Sequence, residues 1–355
     1  YFHDYSEYAG IFGEIKNNEI KNLNIDYMGG AFNDNIFYGG ALAGRATNVN
    51  IHDIALSNFR LNGFGYEQHI GNLIGRIDGG KYNNIYIKNS SANDGGFAAE
   101  IKNGEFNNIK IDMRNSNQIV WGGFAKNIYN GVFKNIEITH NGLISGGFSY
   151  EIFDGDFRNI KIIGIGNKQG LMDYGFSWYL GNGYFQDILL ENFRAYADGF
   201  GIYRDYSNKA SAKNIIIRDA EFRSGGGGFG NIGNAENILL ENLTFYNNNG
   251  FTGFSGFGSA SYAKNIILRN IDFIGNYRVN GFGWVNYADN IILENINFTN
   301  TMYANGFGNV GSGGNIILKN ITFENNLSAN GFSEIINNLT YANNILLENI
   351  KFIGN

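Results

Sequence analysis

Apolar and polar residues alternate in short segments that recur along the chain. The clearest copy, NIILENINF, spans Asn290–Phe298. Related copies begin at Asp187, Asn214, Asn237, Asn265, Asn315 and Asn344, and shorter versions begin at Asn22, Asn48, Asn84, Asn108, Asn135 and Asn159. From Asn84 onward, successive copies are 23 to 29 residues apart. A period of this length, built from strand-like units, predicts a solenoid.

Each copy has the pattern of a half-buried strand. Ile136 and Ile138 lie on one face and Glu137 lies on the other, as the two-residue period of a strand requires. A Gly-Phe unit ahead of each copy predicts a second strand, and variable Asn- and Gly-containing segments turn the corners. We therefore predict an all-β, right-handed parallel β-helix of about 13 rungs of roughly 23–29 residues. The handedness is an analogy: the repeat resembles right-handed parallel β-helices, which are known for asparagine ladders, and right-handed crossovers are the strong default for parallel strands.

The repeat runs from Asn22 to Asn344, which predicts a single solenoid domain over residues 1–355. Three rung types follow one another: glycine-flanked small apolar rungs in 1–90, Gly-Gly-Phe rungs in 91–175, and Gly-Phe rungs with long NIILENIxF strands in 176–355. The chain begins without methionine and ends in phase with the repeat, so we expect a longer protein.

Composition narrows the function classes. The chain has no proline, which suits amides that serve inter-rung ladders. It has no cysteine, which excludes disulfides and thiolate metal sites. A net charge of −6 argues against nucleic-acid binding, which usually needs a basic stripe. No apolar run is long enough to predict a transmembrane helix.

Stacked rungs place like positions above one another, so aligned columns become the unit of stability. One column is aromatic, the next is aliphatic, and the third is an asparagine ladder at a bend, where asparagine tolerates left-handed backbone geometry. Their members are Phe245, Phe273, Phe298, Phe323 and Phe352; Leu243, Ile271, Ile296, Ile321 and Ile350; and Asn192, Asp219, Asn242, Asn270, Asn295, Asn320 and Asn349.

A charged column precedes this ladder, and its signs alternate rung by rung: Glu191, Arg218, Glu241, Arg269, Glu294, Lys319 and Glu348. We interpret it as a run of axial ion pairs. Each exposed pair contributes at most about 1 kcal/mol. The column therefore favours a correct register more than it adds stability.

Another outward column changes from polar to aliphatic along the chain. Its polar members are Tyr86, Lys110, Glu137 and Lys161, and its aliphatic members, which we call the aliphatic stripe, are Leu189, Ile216, Leu239, Ile267, Ile292, Ile317 and Leu346. Two interpretations stay open. In the first, the longer strand bends so that both of its faces are internal, or a loop of this chain covers the stripe. In the second, the stripe is a contact surface for a partner, a neighbouring copy or another domain, since apolar strips are rarely left in water.

Motifs for chemistry are scarce. The four histidines, His3, His52, His69 and His140, lack metal-ligand spacing, and no serine-nucleophile motif is present. Asp154 with Asp156, and Asp198 with Arg204 and Asp205, are interpreted as turn residues, and Tyr86, Tyr203 and Tyr206 as strand-surface residues that could also stack on sugars. We predict no catalytic residue, metal or cofactor. Asn326, in the string ENNLS, is a possible bacterial N-glycosylation acceptor.

Residues Gly10–Asp26, Gly39–Ile51 and Gly71–Ile87 resemble the GLUG-type repeat. That repeat occurs in large bacterial surface and secreted proteins, including haemagglutinin-like adhesins and autotransporter passengers. The resemblance implies a non-enzymatic structural or adhesive shaft at the cell surface or outside the cell. Its partner would be a host or cell-surface protein, a glycan, or another copy. Two alternatives are a carbohydrate-cleaving β-helix enzyme and a vacuolating-cytotoxin-like passenger that oligomerises through the aliphatic stripe.

Overall fold

A computed structural model describes residues 7–26, 29–32, 36–63, 68–114, 120–141, 144–165, 171–203, 210–223, 225–246, 254–332 and 342–355. These residues form strands and turns and contain no helix. The chain divides into two units: unit 1 comprises Tyr1–Met172 and Phe176–Tyr184, and unit 2 comprises Asp173–Gly175 and Phe185–Asn355. Each is a parallel β-solenoid, and the described turns number about 11 in total. A single continuous solenoid over residues 1–355 stays a prediction.

The strands of the first part of the chain are β1 (Tyr8–Ala9), β2 (Phe12–Lys16), β3 (Glu19–Asp26), β4 (Gly29–Phe32), β5 (Tyr38–Gly39), β6 (Ala43–Ser57), β7 (Arg60–Gly63), β8 (His69–Ile70), β9 (Ile74–Lys88), β10 (Ser91–Ala92), β11 (Ala98–Met113), β12 (Val120–Gly122), β13 (Ala125–Ile128), β14 (Val132–His140), β15 (Ile144–Gly146), β16 (Ser149–Ile152), β17 (Asp156–Gly164), β18 (Leu171–Tyr174) and β19 (Ser177–Leu180). Those that follow are β20 (Tyr184–Ala195), β21 (Ile202–Tyr203), β22 (Ser211–Phe222), β23 (Gly226–Gly227), β24 (Gly230–Tyr246), β25 (Phe254–Ser255), β26 (Gly258–Ile274), β27 (Arg278–Asn280), β28 (Gly283–Thr299), β29 (Tyr303–Asn305), β30 (Gly308–Glu324), β31 (Ser328–Asn330) and β32 (Ala342–Ile353).

Strands pair in parallel with the strand one rung away, as a coil requires. In unit 2, β24 pairs with β26, β26 with β28, β28 with β30 and β30 with β32. In unit 1, β6 pairs with β9 and β9 with β11, and the coil continues through β14 to β17. The short strands form separate ladders at another corner, such as β23-β25-β27-β29-β31.

The first rungs correct one predicted repeat. Leu23 pairs with Ile54, which pairs with Ile85, so the partner of Asn22 is Asp53 rather than the predicted Asn48. These rungs are 31 residues long, because 54 − 23 and 85 − 54 both give 31. Asn48 instead occupies an earlier corner, with a left-handed φ of 49°. Two corners of one rung use the same asparagine chemistry, so a four-residue pattern does not distinguish them.

Columns of aromatic rings fill the core of both units, as predicted for unit 2. Centroids in the Phe245 column lie 4.7 to 5.0 Å apart, down to Phe352. In unit 1, the Phe97, Phe124 and Phe148 rings form one stack, and Phe106 and Phe133 belong to a second. The two stacks meet edge to face, an arrangement that aromatic rings prefer.

Asparagine ladders hold the corners, as predicted. In the ladder that runs from Asp219 to Asn349, each Asn Nδ2 donates to the Oδ1 atom of the preceding rung at 3.0 Å. A second ladder runs from Asp187 to Asn344 with distances of 2.8 to 3.0 Å. Left-handed φ values between 54° and 58°, which asparagine adopts more readily than most residues, occur in unit 2 at the ladder members Asp187, Asn192, Asn214, Asp219, Asn237, Asn242, Asn265, Asn270, Asn290, Asn295, Asn320 and Asn349.

Candidate interaction surfaces

The aliphatic stripe lies on the outer face of unit 2. Ile266 and Leu268 are fully buried, whereas Ile267 between them is 37% exposed. Its register neighbours Leu239 and Ile292 are half-buried, and Leu346 on β32 is 50% exposed. The interpretation that both faces of this strand are internal is therefore wrong for Ile267. The use of the stripe as a contact surface stays a prediction.

Polar columns border the stripe on both sides, so its apolar part is one residue wide. On one side lies the ladder of Asn237, Asn265 and Asn290. On the other side lies the charged column. Its residues pair in register from rung to rung with alternating signs of charge, as predicted. Its described ion pairs join Glu191 to Arg218 at 3.1 Å, Glu241 to Arg269 at 2.8 Å and Lys319 to Glu348 at 3.8 Å.

The corresponding column of unit 1 is polar and outward, as predicted. Tyr86 pairs with Lys110, which pairs with Glu137, and Glu137 pairs with Lys161. Lys110 Nζ lies 2.6 Å from Glu137 Oε1, and hydrogen bonding to Glu137 raises the pKa of Lys110.

Asn326 is not available to a glycosyltransferase in the folded chain. The residue is 3% exposed. Its Nδ2 donates to the carbonyl oxygen of Phe298 and to Asn355 Oδ1, and its own Oδ1 accepts from the Thr301 amide. The side chain therefore completes a buried corner of the folded chain, and glycosylation at Asn326 stays a prediction.

The described acids that the sequence analysis interpreted as turn residues have structural partners. Asp154 Oδ1 accepts from the Gly155 amide at 2.7 Å, and Asp156 pairs with Arg158 at 2.7 Å. Asp198 is buried and accepts from the Gly227 amide. Arg204, Asp205, Tyr206 and the side chain of Tyr203 lie outside the described residues, as does His3.

A network of charged and phenolic groups lies on the outer face of unit 1. Arg45 pairs with Asp78 at 2.6 Å, and Arg76 lies 3.2 Å from Asp78 and 3.7 Å from Glu100. Arg76 Nη1 also donates to the Tyr38 hydroxyl at 3.2 Å, and burial raises the pKa of Tyr38. The guanidinium groups are thus already neutralised by carboxylates. Their sequence spacing gave no signal, because the four charged residues come from three different rungs.

Outward aromatic residues form clusters in both units. In unit 1, Tyr129 and Phe153 stack with centroids 4.8 Å apart and planes 5° apart. Close by on the same chain segment, Tyr150 stacks on Trp178 at 4.7 Å and meets Trp121 edge to face at 4.9 Å. Lys126 lies 5.5 Å from the centroid of the Trp121 ring, within cation–π range.

Unit 2 carries a different outward cluster, which we call the Trp284 patch: Ser259, Ser261, Tyr262, Trp284, Asn286, Tyr287, Asn309 and Ser312. Tyr262 and Tyr287 stack at 4.8 Å with planes 8° apart. Trp284 is 62% exposed and pairs in register with Ser259 and Asn309. Sequence reasoning missed this patch. The signal available was GWVNYA at 283–288, aligned with GSASYA at 258–263.

No protein-family model, curated protein or solved structure matches this chain. The resemblance to GLUG-type repeats therefore stays a prediction. Within the described residues, no group of three or more His, Cys, Asp or Glu side chains is placed to hold a metal ion. No helix long and apolar enough to cross a membrane occurs in that same part of the chain.

Proposed function

We propose that this chain is a non-enzymatic structural and adhesive module of a bacterial surface or secreted protein. It would be a right-handed parallel β-helix of about 13 rungs, one for each asparagine or aspartate of the ladder positions from Asn22 to Asn344. Its partner would be a host or cell-surface protein or glycan.

One observation supports the proposal: the columns that fill the core and hold the corners differ from the columns that present large exposed side chains. Inward positions repeat Phe, Ile and Leu, while ladder asparagines hold the corners. Other outward columns, unlike the aliphatic stripe and the charged column, vary from rung to rung and present large exposed side chains such as Trp284, Trp121 and Tyr129. Exposed aromatic residues on a rigid sheet lose little conformational entropy on binding, which suits an adhesive surface.

Binding to cells tests this role. The fluorescently labelled chain is titrated onto cultured epithelial cells, with and without excess unlabelled chain. We expect saturable binding that unlabelled chain displaces. Binding that stays linear with concentration and resists displacement would count against an adhesive function.

The half-exposed aliphatic stripe favours a second candidate, self-assembly through a copy of the same surface. Analytical ultracentrifugation of the parent is compared with Ile267→Lys/Ile292→Lys, which places two charges in the stripe. Thr322→Lys, on another outward column, is the control. Association lost only in the double variant supports assembly, whereas a parent that remains monomeric at all concentrations refutes it.

A further inference from the structure

We propose that the Trp284 patch binds a neutral carbohydrate chain. This inference rests on the proposed adhesive function and deepens it, because it names the residues and the chemical class of the ligand. Sugars present a flat C–H face and a rim of hydroxyl groups, so their binding sites combine an open aromatic ring with amide and hydroxyl partners.

The Trp284 indole supplies the open ring. Its register neighbours are the small side chains of Ser259 and Asn309, so no large residue of the column covers it above or below. Its 62% exposure is consistent with this. Tyr129 in unit 1 differs, because the Phe153 ring covers one of its faces. Only a ring with an accessible face can stack on the apolar side of a sugar.

Hydroxyl and amide groups lie on the same strands as the indole. The stacked Tyr262 and Tyr287 rings lie three residues further along these strands, and each carries a phenol that can donate and accept. Asn286, exposed on the same strand, offers an amide, which has two donors and an acceptor oxygen. This arrangement provides the mixed hydrogen bonding that sugar hydroxyls require, on strands that hold the groups in place.

The patch carries no charged side chain, which selects the ligand class. Its residues are Ser, Asn, Tyr and Trp, and the nearest charged column along β26 and β28 begins at Lys264 and Asp289. Lys264 and Asp289 are paired in register, so the positive charge of one is offset by the negative charge of the other. A uronate or sulfate group would lose hydration without gaining a cationic partner in the patch. A neutral glycan meets no such cost.

Trp284 itself can report binding. The chain contains three tryptophans, so Trp121→Phe/Trp178→Phe leaves Trp284 as the only one. This reporter is titrated with three neutral hexasaccharides, cellohexaose, maltohexaose and chitohexaose, and with acidic hexagalacturonate. We expect a saturable change in emission with at least one neutral sugar, insensitive to added NaCl. No response to any neutral sugar, or a stronger and salt-sensitive response to hexagalacturonate, would overturn the proposal.

Calorimetry then locates the site on the otherwise unchanged chain. Trp284→Ala should weaken binding of the responding sugar about tenfold or more, as expected for an exposed aromatic anchor. Tyr129→Ala, which removes a 40% exposed but stacked ring, should bind like the parent. Equal affinity of the parent and Trp284→Ala would refute the assignment. Thermal unfolding of both variants checks that each is folded.

The same variants separate this inference from the function beneath it. If the parent binds epithelial cells but binds no neutral sugar, adhesion stands and the carbohydrate site falls. If sugar binding depends on Trp284 but the parent does not bind cells, the site stands and the adhesive role falls.

Discussion

Asp198 gives unit 2 a pH-dependent contribution to stability. The residue is 8% exposed, and its Oδ1 accepts one hydrogen bond from the Gly227 amide at 2.5 Å. Burial raises the pKa of this carboxyl to about 7, against an ordinary value of 3.8. The Gly227 amide opposes this rise but does not cancel it. Asp198→Asn keeps the shape and the acceptor oxygen while removing the ionisation.

The sign of this pH dependence follows from whether the folded or the unfolded chain binds the Asp198 proton more tightly. Because the pKa is raised in the folded chain, the stabilisation is fully present below about pH 4 and is lost as the pH rises through about 7. The pKa of Asp198 rises from 3.8 to about 7 on folding. At about 1.4 kcal/mol for each pKa unit, this difference corresponds to about 4 kcal/mol of stability. We therefore expect Asp198→Asn to gain up to about 4 kcal/mol relative to the parent between pH 4 and pH 8.

Urea unfolding of both proteins between pH 4 and pH 8 measures this difference. The comparison cancels the other titrating groups, which both chains share. Asp272→Asn, which removes an outward carboxylate that accepts from Asn297, is the control and should show no comparable trend. A pH-independent difference between Asp198→Asn and the parent would refute the reasoning, and so would a difference of opposite slope.

Three further predictions concern the columns, each measured by urea unfolding. Phe273→Ala should cost about 3–5 kcal/mol, because the buried ring stacks on both neighbours at 4.7 and 5.0 Å; a loss below about 1 kcal/mol would show that the stack adds little. Gly281→Ala should destabilise by about 1–3 kcal/mol or more, because its Cβ would lie 2.1 Å from a backbone oxygen of the next rung. Gly331→Ala in the same column, with its nearest contact at 3.5 Å, should be tolerated, and equal losses would contradict the explanation. Asn270→Asp should cost about 1–3 kcal/mol at neutral pH through a lost donor, whereas Asp219→Asn should not destabilise; the reverse order would refute the ladder.

The fold could be predicted from the sequence because stacked rungs need the same residue types at equivalent positions. Phe245 and Phe273 recur one period apart because both occupy one buried column. Asn242 and Asn270 recur because the same left-handed corner returns. The predicted partner of Asn22 was wrong, because a single rung has several corners with the same chemistry.

The candidate site was much harder to predict from the sequence, because the outward columns of the Trp284 patch do not repeat as the aliphatic stripe does. Trp284 stands in a column with Ser259 and Asn309, so no periodic signal marks it. The glycosylation motif at Asn326 matches locally, but burial depends on a corner completed by Thr301 and Asn355 from other rungs. Register along the solenoid, rather than local pattern, decides what each outward residue can contact.

The corner ladders also have a direction. Each ladder asparagine donates a hydrogen bond from Nδ2 to the Oδ1 atom of the preceding rung. Every bond of the ladder therefore needs an amide donor on the rung nearer the carboxyl terminus. An ionised aspartate side chain can accept such a hydrogen bond but cannot donate one. Asp187 and Asp219 both accept from the asparagine of the next rung. Deamidation of a ladder asparagine to aspartate would therefore affect only one of its two ladder bonds. The bond that it donates to the preceding rung is lost, while the bond that it accepts from the next rung remains. Chemical ageing would therefore weaken the side-chain contact of a rung with its predecessor more than that with its successor, while the backbone ladder keeps the rungs joined.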